Sequence, residues 1–150
     1  MCLQTVTVEE RLRQFWLEYG LDEANTVYSD RNLFKIGTFR LSFPNLSKQG
    51  YMLHDVNHLL SGYELDWISE FELAAWELGS GARSGFGLSN LYPLFGTITG
   101  LILAPIRTVR AFKKGRWRVN AHRLSESFDV LVMDYHELLE RSFRATKREA

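Results

Sequence analysis

The sequence predicts an all-α fold, a single-domain helical bundle of about five to seven helices. Three observations predict it. Helix start and stop signals recur along the chain, the apolar residues between them fall at helical spacing, and only three prolines stand in 150 residues. Thr7 and Glu10 have capping-box spacing at the head of an apolar-periodic run that closes on Gly20, which marks both ends of a first helix. Residues 21–47 alternate enough for a short extended segment but are interrupted by Gly37 and Pro44, and read as a loop or a short hairpin. A helix over roughly 48–61 ends at Gly62, and another starts at an Asp66 N-cap and stops at Gly79. The glycine-rich stretch from Gly79 to Gly87 reads as a flexible hinge or lid. Pro105 opens a basic helix that ends at Gly115, and Asp134 with Glu137 repeats the capping pattern before a last helix.

The composition, 45% hydrophobic and 13% aromatic, suits a packed core rather than a disordered chain. Cys2 is the only cysteine, so no internal disulfide can form, and a reducing compartment is the simplest setting. No secretory or transit segment is recognisable at the start, which turns charged early. The net charge is zero but unevenly spread: residues 1–77 carry six Lys/Arg against twelve Asp/Glu, and residues 78–125 carry eight Lys/Arg and no acid. A basic block within a neutral chain points to a local anionic partner and away from nucleic acid.

The chemistry concentrates in the helix over 48–61, where His54, Asp55 and His58 fall within five positions. At about 100° per residue the two histidines lie about 40° apart on a polar face, with Met52, Val56, Leu59 and Leu60 opposite. Two readings are open: a solvated face with two chance histidines, or the i, i+4 spacing by which one helix offers two imidazoles to a metal. The turn at Gly62 folds the next helix back, which brings Glu70 toward His58 and completes a His, His, carboxylate ligand set. Glu77, two turns beyond Glu70 on the same face, reads either as a group supporting the ligands or, preferred here, as solvated, and His122 and His136 read as surface residues. A zincin protease needs H-E-x-x-H, whereas Asp55 is one methylene shorter; an HD-type phosphohydrolase needs an earlier histidine, and none precedes His54.

The stretch from Leu53 to Gly79 resembles the Coq-four family of ubiquinone (coenzyme Q) biosynthesis proteins, whose hallmark is H-D-x-x-H, eleven residues, then E. His54, Asp55, His58 and Glu70 match without a gap, and Leu60-Ser61-Gly62-Tyr63 stands where the family has L-T-G-Y. Ala111 to Arg116 and Asp134 to Leu139 are similar to two further family segments, so the resemblance covers about residues 50–146. It implies an all-helical fold and a divalent metal, zinc first, with magnesium or iron as alternatives, held by His54, Asp55, His58 and Glu70. It further implies a prenylated quinone-like or isoprenoid lipid in an apolar groove, a position at the cytoplasmic side of a membrane surface, and association with other quinone-biosynthesis proteins or with further copies of the chain. Oxidative decarboxylation of a prenylated aromatic acid, a decarboxylase or lyase activity, is one implied role, with Asp55 as the acid/base group. A non-catalytic lipid-binding scaffold with a structural metal is the other.

Phe86 to Ile106 runs 21 residues without a charge. Glycines and prolines interrupt it, so the reading preferred over surface contact or a membrane span is buried core or the wall of a lipid groove. Arg107, Arg110 and Lys114 follow on one helical face and suit a lipid phosphate or anionic headgroup, or else a solvated face paired with the acidic N-terminal half.

Overall fold

Thr7 caps as its spacing from Glu10 predicts. Its hydroxyl accepts the Glu10 N–H at 3.2 Å, the Glu10 carboxylate accepts the Thr7 N–H at 2.8 Å, and α1 runs Val8–Glu18 from this closed box. The computed structural model describes residues 6–21, 33–36, 39–42, 48–81 and 90–143. After α1 come an antiparallel hairpin, β1 (Leu33–Ile36) and β2 (Phe39–Ser42), then α2 (Lys48–Ser61) and α3 (Trp67–Gly79). The chain continues with α4 (Leu91–Leu103), α5 (Pro105–Gly115), the short α6 (Ala121–Leu124) and α7 (Tyr135–Ser142). The described residues therefore form an all-α domain of seven helices with one small hairpin, within the expected five to seven. Residues 82–87 of the glycine-rich stretch lie outside the described residues.

Local chemistry accounts for the boundaries. Gly62 takes φ +76°, which a side chain would resist, and donates to the His58 carbonyl at 2.8 Å, turning the chain out of α2. Asp66 accepts the N–H groups of Ile68 and Ser69 at 3.0 and 3.2 Å and so starts α3. Asp134 does the same for His136 and Glu137 at the head of α7.

α3 is the central helix, packed by α4 and α5 on one side and by α2 on the other. α1 lies on α2 and is tied to the segment before α7: Val8 N–H donates to the Met133 carbonyl at 2.9 Å and Glu9 N–H to the Leu131 carbonyl at 3.0 Å. Leu12, Val56, Leu73, Trp76 and Leu138 are fully enclosed in the core between these helices. Each such side chain contributes roughly 1.5–3 kcal/mol by leaving water.

Two expectations are corrected here. α2 has no solvated polar face, because every residue from Met52 to His58 is buried, the polar ones against α1, α3 and α6. The apolar run does not fill the core either. In α4 only Pro93, Gly96 and Gly100 are buried, and the large residues point outward. The small residues let α4 lie close on α3: a Cβ at Gly96 would meet that of Ala74 at 2.7 Å. Among the described residues no helix is long and apolar enough to cross a membrane.

Candidate metal centre

α2 presents His54 and His58 one turn apart, and the turn at Gly62 folds α3 back so that Glu70 meets both. Glu70 Oε2 lies 3.4 Å from His54 Nε2, and Glu70 Oε1 lies 3.4 Å from His58 Nε2. The carboxylate thus bridges two imidazoles whose planes stand at 87°. Asp55 adds a second carboxylate: His54, Asp55 and His58 each offer a ligand atom within 4.8 Å of the others, a group that could hold a metal ion.

The far side of each ring is held by the protein. His58 Nδ1 sits 2.9 Å from the Tyr63 carbonyl, which only accepts, so Nδ1 carries a proton and donates. In the neutral ring that leaves the lone pair on Nε2, a buried atom that makes no hydrogen bond among the described residues. His54 Nδ1–H donates to Glu77 Oε1 at 3.1 Å, which likewise directs its Nε2 toward Glu70. An outer nitrogen tied to a carbonyl or carboxylate is the usual support for a metal-bound histidine, because it fixes the tautomer and the ring plane. The donor set of two imidazoles and one or two carboxylates fits zinc and similar divalent ions.

Three further helices steady this pair. Trp16 of α1 donates its indole N–H to Asp55 Oδ2 at 2.8 Å within the core. Asn57 of α2 donates to Glu77 Oε1 at 2.7 Å and accepts from the Ala121 N–H of α6 at 2.8 Å. Tyr92, in the first turn of α4, reaches Glu70 Oε2 at 3.5 Å, and its ring meets His54 edge-on at 5.6 Å. Glu70 is the most exposed member of the cluster, its side chain 23% accessible against 0–10% for the histidines, so the centre opens on the Glu70 side.

Glu77, for which a supporting role is the less favoured reading of the sequence, and His122, read as a surface residue, both belong to this network. Glu77 is 2% exposed and takes hydrogen bonds from His54 and Asn57. His122, with 9% of its side chain exposed, places Nε2 4.0 Å from Glu77 Oε1. Glu77 could have been found, since it shares a helical face with Glu70. Trp16, Asn57 and Tyr92 carried no such signal, because their partners are 39, 20 and 22 residues away.

The basic candidates are on α5, at the margin of this arrangement. Arg107 is bound to Glu72 at 2.6 Å, Arg110 is exposed, and Lys114 lies over the Tyr63 ring with Nζ 5.5 Å from its centre. Tyr63 therefore touches both groups, its carbonyl holding His58 and its ring lying under Lys114.

Burial alone would push the His54 imidazolium down, but the carboxylates of Glu77 and Glu70 outweigh it and hold its pKa up at about 10. Burial would push Glu70 up, and the two histidines instead hold it far below the ordinary carboxylate range. The His54 pKa is raised above its ordinary 6.5, so in metal-free protein its contribution to stability is complete below pH 6.5 and declines until about pH 10. Glu70, depressed from 4.5, contributes above that pH and loses its contribution as pH falls. A metal would take the place of the His54 Nε2 proton, so binding at pH 8 would release that proton and remove the decline above pH 6.5. Melts of chelator-treated protein should fall between pH 6.5 and 10, while melts saturated with zinc should stay level over that range. A flat metal-free profile would contradict this assignment.

The fold and the site together define a class, a helical protein with a buried two-histidine carboxylate centre. No protein-family model, no curated protein and no solved structure matches the chain.

Proposed function

We propose that this chain is a metal-dependent protein of ubiquinone or prenylquinone biosynthesis that acts on a prenylated aromatic lipid, with decarboxylation at the ring precursor as the reaction class. The observation that carries the metal part is the buried His58 Nε2, deprived of a hydrogen bond and aimed with His54 Nε2 at one carboxylate. The lipid part rests on the sequence resemblance and on the opening at Glu70, bordered by Tyr92. His54, His58 and Glu70, with Asp55 beside them, would hold the ion. A divalent ion there supplies Lewis acidity for a ring hydroxyl or carboxylate. Trp16 keeps Asp55 oriented, and Arg110 and Lys114 offer positive charge to an anionic group on the lipid.

A specific observation favours the second reading, a scaffold with a structural metal. Asp55 joins both histidines in a three-residue group that could hold an ion, Glu70 also meets both histidines, and a site closed by protein ligands is structural more often than catalytic. Metal analysis of the purified protein, with native mass spectrometry for a co-purified lipid, tests both readings. The expected result is about one divalent ion per chain, lost in His58→Ala, and an isoprenoid adduct. Protein without metal, or a His58→Ala variant that keeps it, would sink the metal reading. X-ray absorption then separates the two roles, since a water-bearing site supports chemistry and a closed one supports the scaffold.

A further inference from the structure

Asn57 stands between the two histidines, at a position that the ligand spacing leaves open, and it is completely buried. An asparagine amide can turn over without changing its outline, so its partners decide which end is the donor. Here one partner leaves no choice. The backbone N–H of Ala121, at the start of α6, can only donate, and the Asn57 atom 2.8 Å from it is therefore Oδ1. Nδ2 then faces Glu77 Oε1 at 2.7 Å, and it too can only donate.

That settles the next link. A carboxylate oxygen accepts so short a bond far better than a carboxylic hydroxyl does, so Glu77 Oε1 is held as an acceptor. His54 Nδ1 lies 3.1 Å from the same oxygen and must carry a proton to bond it. His122 Nε2, at 4.0 Å, is too far from this oxygen to reverse the order. A ring that keeps its proton on Nδ1 can present a lone pair only at Nε2, the nitrogen turned to Glu70 Oε2 at 3.4 Å. The direction of the whole chain thus starts from a backbone group that cannot reverse. That group is itself held in place. Asn120 caps α6 by accepting the Arg123 N–H at 3.0 Å and donates to Ser80 Oγ at 3.1 Å, while Ser80 Oγ donates to the Glu77 carbonyl at 3.0 Å. The start of α6 is tied to the end of α3 that carries Glu77.

We propose that Asn57 is a positioning residue of the centre, which carries the fixed direction of the Ala121 N–H through Glu77 to His54 and so selects Nε2 as the nitrogen that takes the ion. The proposal rests on the metal reading above but on neither of its two roles, since a catalytic and a structural ion need the same tautomer. It gives α6, which carries none of the ligands, a part in the centre. Asparagine suits the position because its amide accepts at one end and donates at the other. A leucine of similar outline would offer neither, and an aspartate would set two carboxylates against each other.

The test reverses the chain while keeping its shape. Asn57→Asp alone opposes a second carboxylate to Glu77 and should lower both the melting point and the zinc affinity. In the double variant Asn57→Asp with Glu77→Gln, the new amide donates to the new carboxylate and to His54 Nδ1. Outline and net charge of the pair match wild type, but the His54 proton is driven to Nε2. The expected result is a melting point close to wild type with zinc affinity still about 10–100-fold lower. In zinc-loaded wild type with isotope-labelled histidine, long-range proton–nitrogen NMR spectra should show His54 bound through Nε2 and protonated on Nδ1. Zinc on Nδ1 of wild-type His54, or a double variant whose affinity returns with its stability, overturns the proposal and leaves the metal reading standing. Wild-type protein that takes up no zinc overturns both. If the double variant fails to fold, the wild-type spectrum still decides.

Discussion

Glu77→Ala should lower stability by about 3–5 kcal/mol and weaken metal binding by about 10–100-fold. Glu77 Oε1 is the common acceptor for His54 Nδ1 and Asn57 Nδ2, at 3.1 and 2.7 Å, in a part of the core that water does not reach. Truncation leaves two buried donors without this acceptor and removes the charge that does most to keep His54 protonated in metal-free protein. It also frees the His54 ring to turn, so Nε2 no longer points at Glu70. Glu77→Gln separates the effects. Its amide oxygen can still accept one or both hydrogen bonds, so stability should recover most of the way, while the lost charge keeps affinity below wild type. Denaturant melts and competition against a chelator measure the two quantities. An alanine variant that matches wild type in both would show that Glu77 positions nothing.

Gly115→Ala should lower stability by about 1–3 kcal/mol through crowding alone. At this chain length the upper end corresponds to a melting point lowered by about 6–12 °C. A Cβ at Gly115 would fall on the carbonyl oxygen of Trp76 and 3.0 Å from the Ser80 nitrogen, and a Cβ at Gly79 would fall on the carbonyl oxygen of Phe112. α3 and α5 therefore touch backbone to backbone, and backbone cannot rotate aside as a side chain can. Gly20→Ala is the informative contrast. It meets nothing within 4 Å but sits at φ +65°, so its cost of roughly 1–2 kcal/mol is conformational. If Gly115→Ala melts with wild type, the helices have room to part and the close contact is not what fixes α5.

What could be read from the sequence was what is decided within a few residues. The Thr7–Glu10 box, the Gly62 turn, the Asp66 and Asp134 caps and the Pro105 start are each settled by groups at most four positions apart. The encounter of Glu70 with both histidines was within reach for the same reason, since one short turn dictates it. Trp16 and Asn57 were not legible, because their roles depend on where α1 and α6 dock. The apolar run misled for a different reason. Hydropathy counts apolar residues and does not say where they point. The spacing of Pro93, Gly96 and Gly100 held the missing information: three small residues on one face leave it flat enough for α3 and send every bulky side chain the other way. His122 and Glu77 show the converse, polar residues drawn inward because each finds a polar group already there.

The pairing of Thr7 with Asp134 has a bearing on biosynthesis. Trp16 can hold Asp55 only when α1 is in place, and the head of α1 is fastened to Leu131 and Met133. The centre on α2 and α3 thus waits for residues that leave the ribosome about sixty positions after Glu70. A nascent chain that has exposed both histidines and Glu70 still lacks the clasp that shuts the core behind them. Folding with such distant pairings is slow to nucleate, so His54, His58 and Glu70 stand open to solvent for part of synthesis, before the core closes behind them.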